Sequence, residues 1–301
     1  MGGPTGFVSG IGIPDKAVFK HKLEFSWPPR SFREKGKAMA EVGPINNTAS
    51  YSPFVKSSHP LLDVADLSKA FGGLVVINRL SFSLEEGETL GIIGPNGSGK
   101  TTLFNLMTGF LKADHGKISF SGNEITNKRP SHICQLGITR TFQLPRPFPQ
   151  LTVLENVTAG RAYGKESSSD IKQARREAME ILDFTGLGNK QAVISKNLNL
   201  LGRKRLEIAR ALATRPKLLL LDEVFAGLNP KETEEALELI SLIKNRGITL
   251  TIVEHVIKVI LGVSSRVVVI NFGEKIFEGL PTEAINDQKV IEAYLGEDFH
   301  A

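Results

Sequence analysis

The stretch Gly94-Pro95-Asn96-Gly97-Ser98-Gly99-Lys100-Thr101 has the spacing G-x-x-x-x-G-K-[ST]. It lies between an apolar run, Leu90-Gly91-Ile92-Ile93, and a helical pattern, Thr102-Leu103-Phe104-Asn105-Leu106-Met107. A strand that turns through glycines into a helix N-terminus builds a cradle for phosphate. The glycines let main-chain N–H groups turn inward around a β-phosphate, and the helix end adds partial positive charge. Lys100 is spaced to reach the β- and γ-phosphates and the Thr101 hydroxyl to ligate Mg²⁺. Residues Gly94 to Thr102 are therefore the candidate binding residues for a nucleoside triphosphate.

At 301 residues the chain can bury a large core as one two-lobed unit or two domains. The net charge of +5 is unevenly placed: eight basic and four acidic residues precede Leu61, so +4 of it belongs to the N-terminal segment. The basic balance thus gives no warrant for a nucleic-acid groove in the rest of the chain, and no nucleic-acid partner is expected. Cys134 is the only cysteine, which excludes an intrachain disulfide or a cysteine metal cluster and fits a reducing compartment. No run of eighteen apolar residues occurs, so no membrane-spanning helix is expected. The N-terminus lacks an early positive charge before an apolar stretch and does not read as a secretory signal.

Residues 1–59 are rich in Gly, Pro and Ser without a sustained period of 2 or 3.6, and read as a poorly ordered extension or a misassigned translation start, with Met39 an alternative start. The remainder, 60–301, carries the dense pattern. Leu61 to Leu67, Ser81 to Leu84 and Lys117 to Phe120 alternate as half-buried strands, the last ahead of a turn at Ser121-Gly122-Asn123, and predict an antiparallel sheet. A helical section is expected at about 150–213. It includes a charged helix from Asp170 to Leu182 with Ile171, Ala174, Ala178, Ile181 and Leu182 on its apolar face. Strands at Leu218–Leu221, Thr249–Val253 and Arg266–Ile270 then alternate with helices at Lys231–Lys244 and after His255. The fold class that follows is α/β: a parallel-sheet core with an antiparallel β subdomain and a helical subdomain.

Leu218-Leu219-Leu220-Leu221-Asp222-Glu223 reads as a strand buried on both faces that ends in two acids at the ligand-binding end of the sheet. Asp222 is placed to hold Mg²⁺ through its water shell, and Glu223 to orient or deprotonate an attacking water. Glu254-His255 ends the next apolar strand, where a histidine can hydrogen-bond a γ-phosphate. Gln143, within Arg140-Thr141-Phe142-Gln143, offers an amide oxygen to Mg²⁺ or to water. His21, His59, His115, His132 and His300 have no partner pattern and read as structural or solvent-exposed.

Together these residues resemble the ATP-binding subunit of ABC transporters, from Leu61 to about Glu297, and within that superfamily the branched-chain amino acid uptake ATPases. The resemblance is carried by Phe71-Gly72-Gly73-Leu74, Leu103-Phe104-Asn105-Leu106-Met107-Thr108-Gly109, Arg140-Thr141-Phe142-Gln143, Ala226-Gly227-Leu228-Asn229-Pro230 and Ala293-Tyr294-Leu295-Gly296-Glu297. It implies a RecA-like P-loop NTPase fold, hydrolysis of ATP with Mg²⁺, adenine stacking on Phe71 with Val76 beside it, a glutamine switch at Gln143, a histidine switch at His255, and a subunit-contact loop at Ala226 to Asn229. It also implies transmembrane permease subunits, a second ATPase subunit in a homo- or heterodimer, an indirect extracytoplasmic solute-binding protein, and a place on the cytoplasmic face of the membrane. Leu144-Pro145-Arg146-Pro147-Phe148 and the neighbouring helical section are where a membrane subunit would dock.

One segment departs from the family pattern. Registered on the following helix, the Leu-Ser-Gly-Gly-Gln signature becomes Leu198-Asn199-Leu200-Leu201-Gly202. Branched side chains at 200 and 201 are expected to hinder close backbone approach to the γ-phosphate of an opposite subunit. Loss of one such donor lowers a rate by about 10²–10³. Either a different ATPase subunit supplies the better signature, or the variant hydrolyses normally as a homodimer. An ABC protein of DNA repair or translation needs a coiled-coil insertion or tandem cassettes, and this chain has neither. A lipid or drug export ATPase is the serious alternative to amino acid uptake.

Overall fold

In the computed structural model, which describes residues 60–167, 170–254 and 257–298, the apolar runs become two sheets. The antiparallel sheet has the order β2-β1-β4-β5, from β1 (Leu62–Phe71), β2 (Leu74–Leu84), β4 (His115–Phe120) and β5 (Asn123–Glu124). Its first two strands run longer than the alternation alone predicts, because Gly72-Gly73 closes them as a two-residue hairpin with Phe71 opposite Leu74. Bulges beyond Val64 break the alternation along the way. Ser121 and Gly122, both at positive φ, make the second tight turn.

The second sheet has the order β10-β9-β3-β8-β7-β6. It comprises β3 (Thr89–Ile93), β6 (Ile138–Arg140), β7 (Leu218–Asp222), β8 (Thr249–Val253), β9 (Arg266–Asn271) and β10 (Glu274–Gly279). All neighbours are parallel except β9 and β10. Every residue of β3, β7 and β8 is buried, as expected of parallel strands covered on both faces. Helix α1 (Lys100–Met107) packs Leu103, Phe104, Leu106 and Met107 into the core shared with β1, β2 and β3. Helices α2 (Pro130–Leu136), α6 (Pro230–Lys244), α7 (Ile257–Val263), α8 (Pro281–Ala284) and α9 (Gln288–Asp298) complete this lobe. Arg266 binds Glu88 at 2.8 Å, the Ser83 carbonyl at 2.6 Å and Glu278, fastening the two sheets where they meet.

The helical section contains α3 (Val153–Tyr163), α4 (Ile171–Phe184) and α5 (Leu200–Ala213), with short 3₁₀ turns between α4 and α5. Thr152 and Glu155 form a capping box on α3, and Asp170 caps α4. A Cβ on Gly160 would lie 2.6 Å from the Arg210 carbonyl, so α3 and α5 approach as closely as a bare backbone permits. On α4, Ala174, Ala178, Ile181 and Leu182 are buried as the period predicts, whereas Ile171 is 62% exposed. Side chains lean toward a helix's N-terminus, so this first-turn residue projects past the packed surface. Residues 1–59 and His255 lie outside the described residues. Among the described residues no helix is long and apolar enough to cross a membrane.

Candidate nucleotide site

The loop from β3 to α1 is held by contacts that only glycine permits. Gly94 has φ 153 and a Cβ there would lie 1.9 Å from the Ile270 carbonyl; Gly99, the N-cap of α1 at φ 105, would meet the Val76 carbonyl at 2.7 Å. Lys100, 6% exposed at the head of α1, donates to the carbonyls of Gly94 and Pro95, both at 2.7 Å. Its ammonium is thereby stationed over the loop. A cleft of about 330 Å³ opens here, lined by Val76, Asn96, Gly97, Ser98, Gly99, Lys100, Thr101, Thr102, Gln143 and Glu223. Residues from four separate parts of the chain thus meet at one place.

The sheet order explains the meeting. With only β8 between the parallel strands β3 and β7, the carboxyl ends of the phosphate-loop strand and the acidic strand open on the same edge of the sheet, one strand apart. Gln143 arrives from the end of edge strand β6, and its Nε2 donates to Glu223 Oε2 at 2.6 Å. Asp222 is 1% exposed. Its Oδ2 accepts from Arg140 Nη2 at 2.7 Å, and its main-chain N–H donates to Thr141 Oγ1. Burial pushes the Asp222 carboxyl above its ordinary range, and the neighbouring Arg140 guanidinium opposes that. Asp222 Oδ1 is buried with no hydrogen-bond partner. The orphaned Asp222 carboxylate oxygen and the Thr101 hydroxyl that lines the cleft are the type of oxygen donor a hard divalent cation takes beside nucleotide phosphates.

Not every expected residue lines the cleft. Phe71 stands at the end of β1, 46% exposed, with the Lys69 ammonium 5.3 Å from its ring centre. Gly94 and Pro95 shape the loop without lining it, and Asp222 adjoins the cleft through Glu223. His115 and His132 are exposed, as the sequence suggests.

Five contributors escaped sequence reading. Arg140, 9% exposed, spans Asp222 and Asn105 Oδ1, the latter at 2.6 Å, and so joins β6, β7 and α1. Lys204 Nζ donates to the Glu223 carbonyl at 3.0 Å. Glu254, 2% exposed, accepts the Phe225 N–H at 2.9 Å. Glu207 accepts the Arg146 N–H at 3.4 Å, while Arg210 donates to the Arg146 carbonyl at 2.7 Å. Their one signal is a basic or acidic residue interrupting an otherwise buried pattern, which needs the fold to interpret.

The departed signature segment forms the first turn of α5. Asn199 is its N-cap, with Oδ1 accepting from Gly202 N at 2.9 Å, and Leu200 is 41% exposed. A Cβ on Gly227 would lie 3.1 Å from Leu200, so this segment adjoins the Ala226–Asn229 loop.

Comparison with known proteins identifies the family and the fold. The ABC transporter family model matches residues 77–226, and that for the branched-chain amino acid ATP-binding cassette transporter matches 274–300. The high-affinity branched-chain amino acid transport ATP-binding protein LivG of Salmonella typhimurium is 40% identical over 80% of this chain and 99% of its own length. The crystal structure of the ADP conformation of an ABC transporter's ATP-binding cassette aligns with TM-score 0.72 and 36% identity, over 78% of this chain and 98% of that one. A dimeric post-hydrolysis cassette bound to ADP and Pi aligns with TM-score 0.66 and 25% identity, over 73% of this chain and 98% of that one.

Proposed function

This chain belongs to the ABC transporter ATP-binding family, and from that premise we propose that it hydrolyses Mg-ATP to drive uptake of branched-chain or related hydrophobic amino acids. The observation that carries the chemistry is the convergence of Lys100, Thr101, Gln143 and Glu223 on one cleft, with the unpartnered Asp222 Oδ1 adjoining it. Main-chain amides of the loop and the Lys100 ammonium grip the triphosphate. When bound, Mg²⁺ supplies charge withdrawal from the β- and γ-phosphates, with Thr101, Asp222 and Gln143 as the protein groups to hold it. Glu223 orients a water and takes its proton as the water oxygen bonds to the γ-phosphorus and ADP departs. Gln143, hydrogen-bonded to Glu223, reports occupancy of the cleft to the loop that follows it. His255 is assigned to the γ-phosphate, and Phe71 with Val76 to the adenine.

Two such domains pair across facing sites, a reading supported by the dimeric cassette that this fold resembles. Opening and closing of the pair moves permease subunits docked on the loop after Gln143, where Leu144 is 73% exposed and Phe148 48%. On this reading the chain works on the cytoplasmic face of the membrane, with a solute-binding protein acting on the other side. The signature segment favours a second ATPase subunit of different sequence, since Asn199 Oδ1 is engaged by its own helix and Leu200 occupies the exposed approach. Robust turnover by the purified chain alone, rising cooperatively with its concentration, would remove that asymmetry.

The test of the chemistry is Glu223→Gln. Turnover falls by about 10²–10⁴, the range for loss of a general base, while Mg-ATP binding measured by calorimetry persists. Near-normal hydrolysis would overturn the assignment. Vesicles holding the chain with its co-purified membrane subunits should accumulate labelled leucine on ATP addition; transport of lipid or drug instead would support the export alternative.

A further inference from the structure

Glu223 has φ 48, a left-handed backbone that a residue with a long side chain adopts only when its surroundings impose it. The restraints are visible. The Glu223 N–H donates to the Val253 carbonyl at 2.9 Å, and its own carbonyl accepts from Ala226 N at 3.2 Å within the turn. Two buried side chains finish the clamp: Lys204 Nζ donates to that same Glu223 carbonyl at 3.0 Å, and the Glu254 carboxylate takes the Phe225 N–H at 2.9 Å.

Lys204 is 6% exposed, and a buried ammonium is tolerated only when paired. It sits among the charges of Glu254, Glu207 and Glu223. A neutral side chain would fill this place at lower desolvation cost, so packing does not account for the charge. One turn further along α5, Glu207 and then Arg210 hold the N–H and the carbonyl of Arg146, in the loop that carries Gln143. Lys204, Glu207 and Arg210 share a helix face. That face therefore touches the main chain on both sides of the Gln143–Glu223 hydrogen bond.

We propose that Lys204 is a positioning residue for the hydrolytic step: its bond to the Glu223 carbonyl holds that peptide in the left-handed turn that aims the carboxylate into the cleft. The bond ties the base to α5, the helix that begins with the altered signature segment. This rests on the reading of Glu223 as base, and Lys204 itself touches no reactant.

The experiment compares Lys204→Met, Lys204→Gln and Lys204→Arg in the full chain purified with its accompanying subunits. Steady-state ATPase and Mg-ATP calorimetry are measured on each. Lys204→Met is expected to lower kcat at least tenfold with KM and the Mg-ATP Kd within threefold, and Lys204→Arg to recover most of kcat. Should Lys204→Met not be recovered folded, Lys204→Gln carries the same comparison. In a Glu223→Ala background, removal of Lys204 is expected to leave residual turnover unchanged, because the effect passes through Glu223. A kcat within twofold of wild type in both neutral variants overturns the proposal. So does a joint loss of kcat and ATP affinity that Arg does not rescue, which is the mark of a merely structural role. If Glu223→Ala itself hydrolyses normally, it is the base assignment that fails.

Discussion

Glu207 offers a quantitative handle on how the helical section grips the site. It is 6% exposed, and burial pushes its carboxyl from 4.5 up to about 7. The main-chain N–H groups of Arg146 and Phe142, and the charges of Arg210 and Lys204, oppose the burial without cancelling it. Between these two values the folded chain keeps a proton that the unfolded chain has released. Stability contributed by this group is therefore complete below about pH 4.5 and is lost as pH rises through about 7. At about 1.36 kcal/mol per pH unit, the loss between about pH 5 and pH 8 is about 2.5 kcal/mol. In a domain of this size that corresponds to roughly 5–10 °C in Tm. Glu207→Gln keeps an acceptor for the Arg146 N–H but cannot titrate. The Tm of the variant minus that of wild type should thus grow by this amount from pH 5 to pH 8. Thermal melts followed by circular dichroism without nucleotide, at half-unit pH intervals, measure it, and all other titrating groups are common to both proteins. Melting curves that stay parallel across the window would refute the account, since they would show Glu207 ionising as it does in water.

Two further outcomes bear on the site. Arg140→Met leaves the Asp222 carboxylate buried beside no cation, and should lower stability by about 3–5 kcal/mol, with Asp222→Asn in the same chain recovering part of it; equal stability of Arg140→Met and wild type in urea would show that the pair contributes nothing. Gly94→Ala drives a Cβ to 1.9 Å from the Ile270 carbonyl at φ 153, so Mg-ATP affinity should fall at least tenfold in a destabilised protein, and wild-type affinity by calorimetry would contradict the close packing.

The extent of what could be read in advance follows the range of each interaction along the chain. The phosphate loop is contiguous, so Gly94 to Thr102 state their chemistry in order, and the cleft lining repeats them from Asn96 onward. The apolar run Leu218 to Leu221 announces a strand buried on both faces, and every one of its residues is at 0% exposure. Helix caps and tight turns are equally local: Asn229 with Glu232 opens α6, and Ser121-Gly122 turns β4 into β5. Ile171 shows where the periodic argument stops, because a period assigns a face but not whether a neighbour covers its end.

The amino-acid order alone thus determined the strand–loop–helix that binds phosphate, the acidic end of β7 and the alternation that makes an α/β core, all set by neighbours within a few residues. Tertiary structure alone decided that Gln143 meets Glu223 across 80 residues and Arg140 meets Asp222 across 82. It also decided that a lysine on α5 would hold the carbonyl of Glu223. Each of those contacts depends on which strands lie side by side, and strand order is chosen by burial of the whole core, not by any segment's own preference.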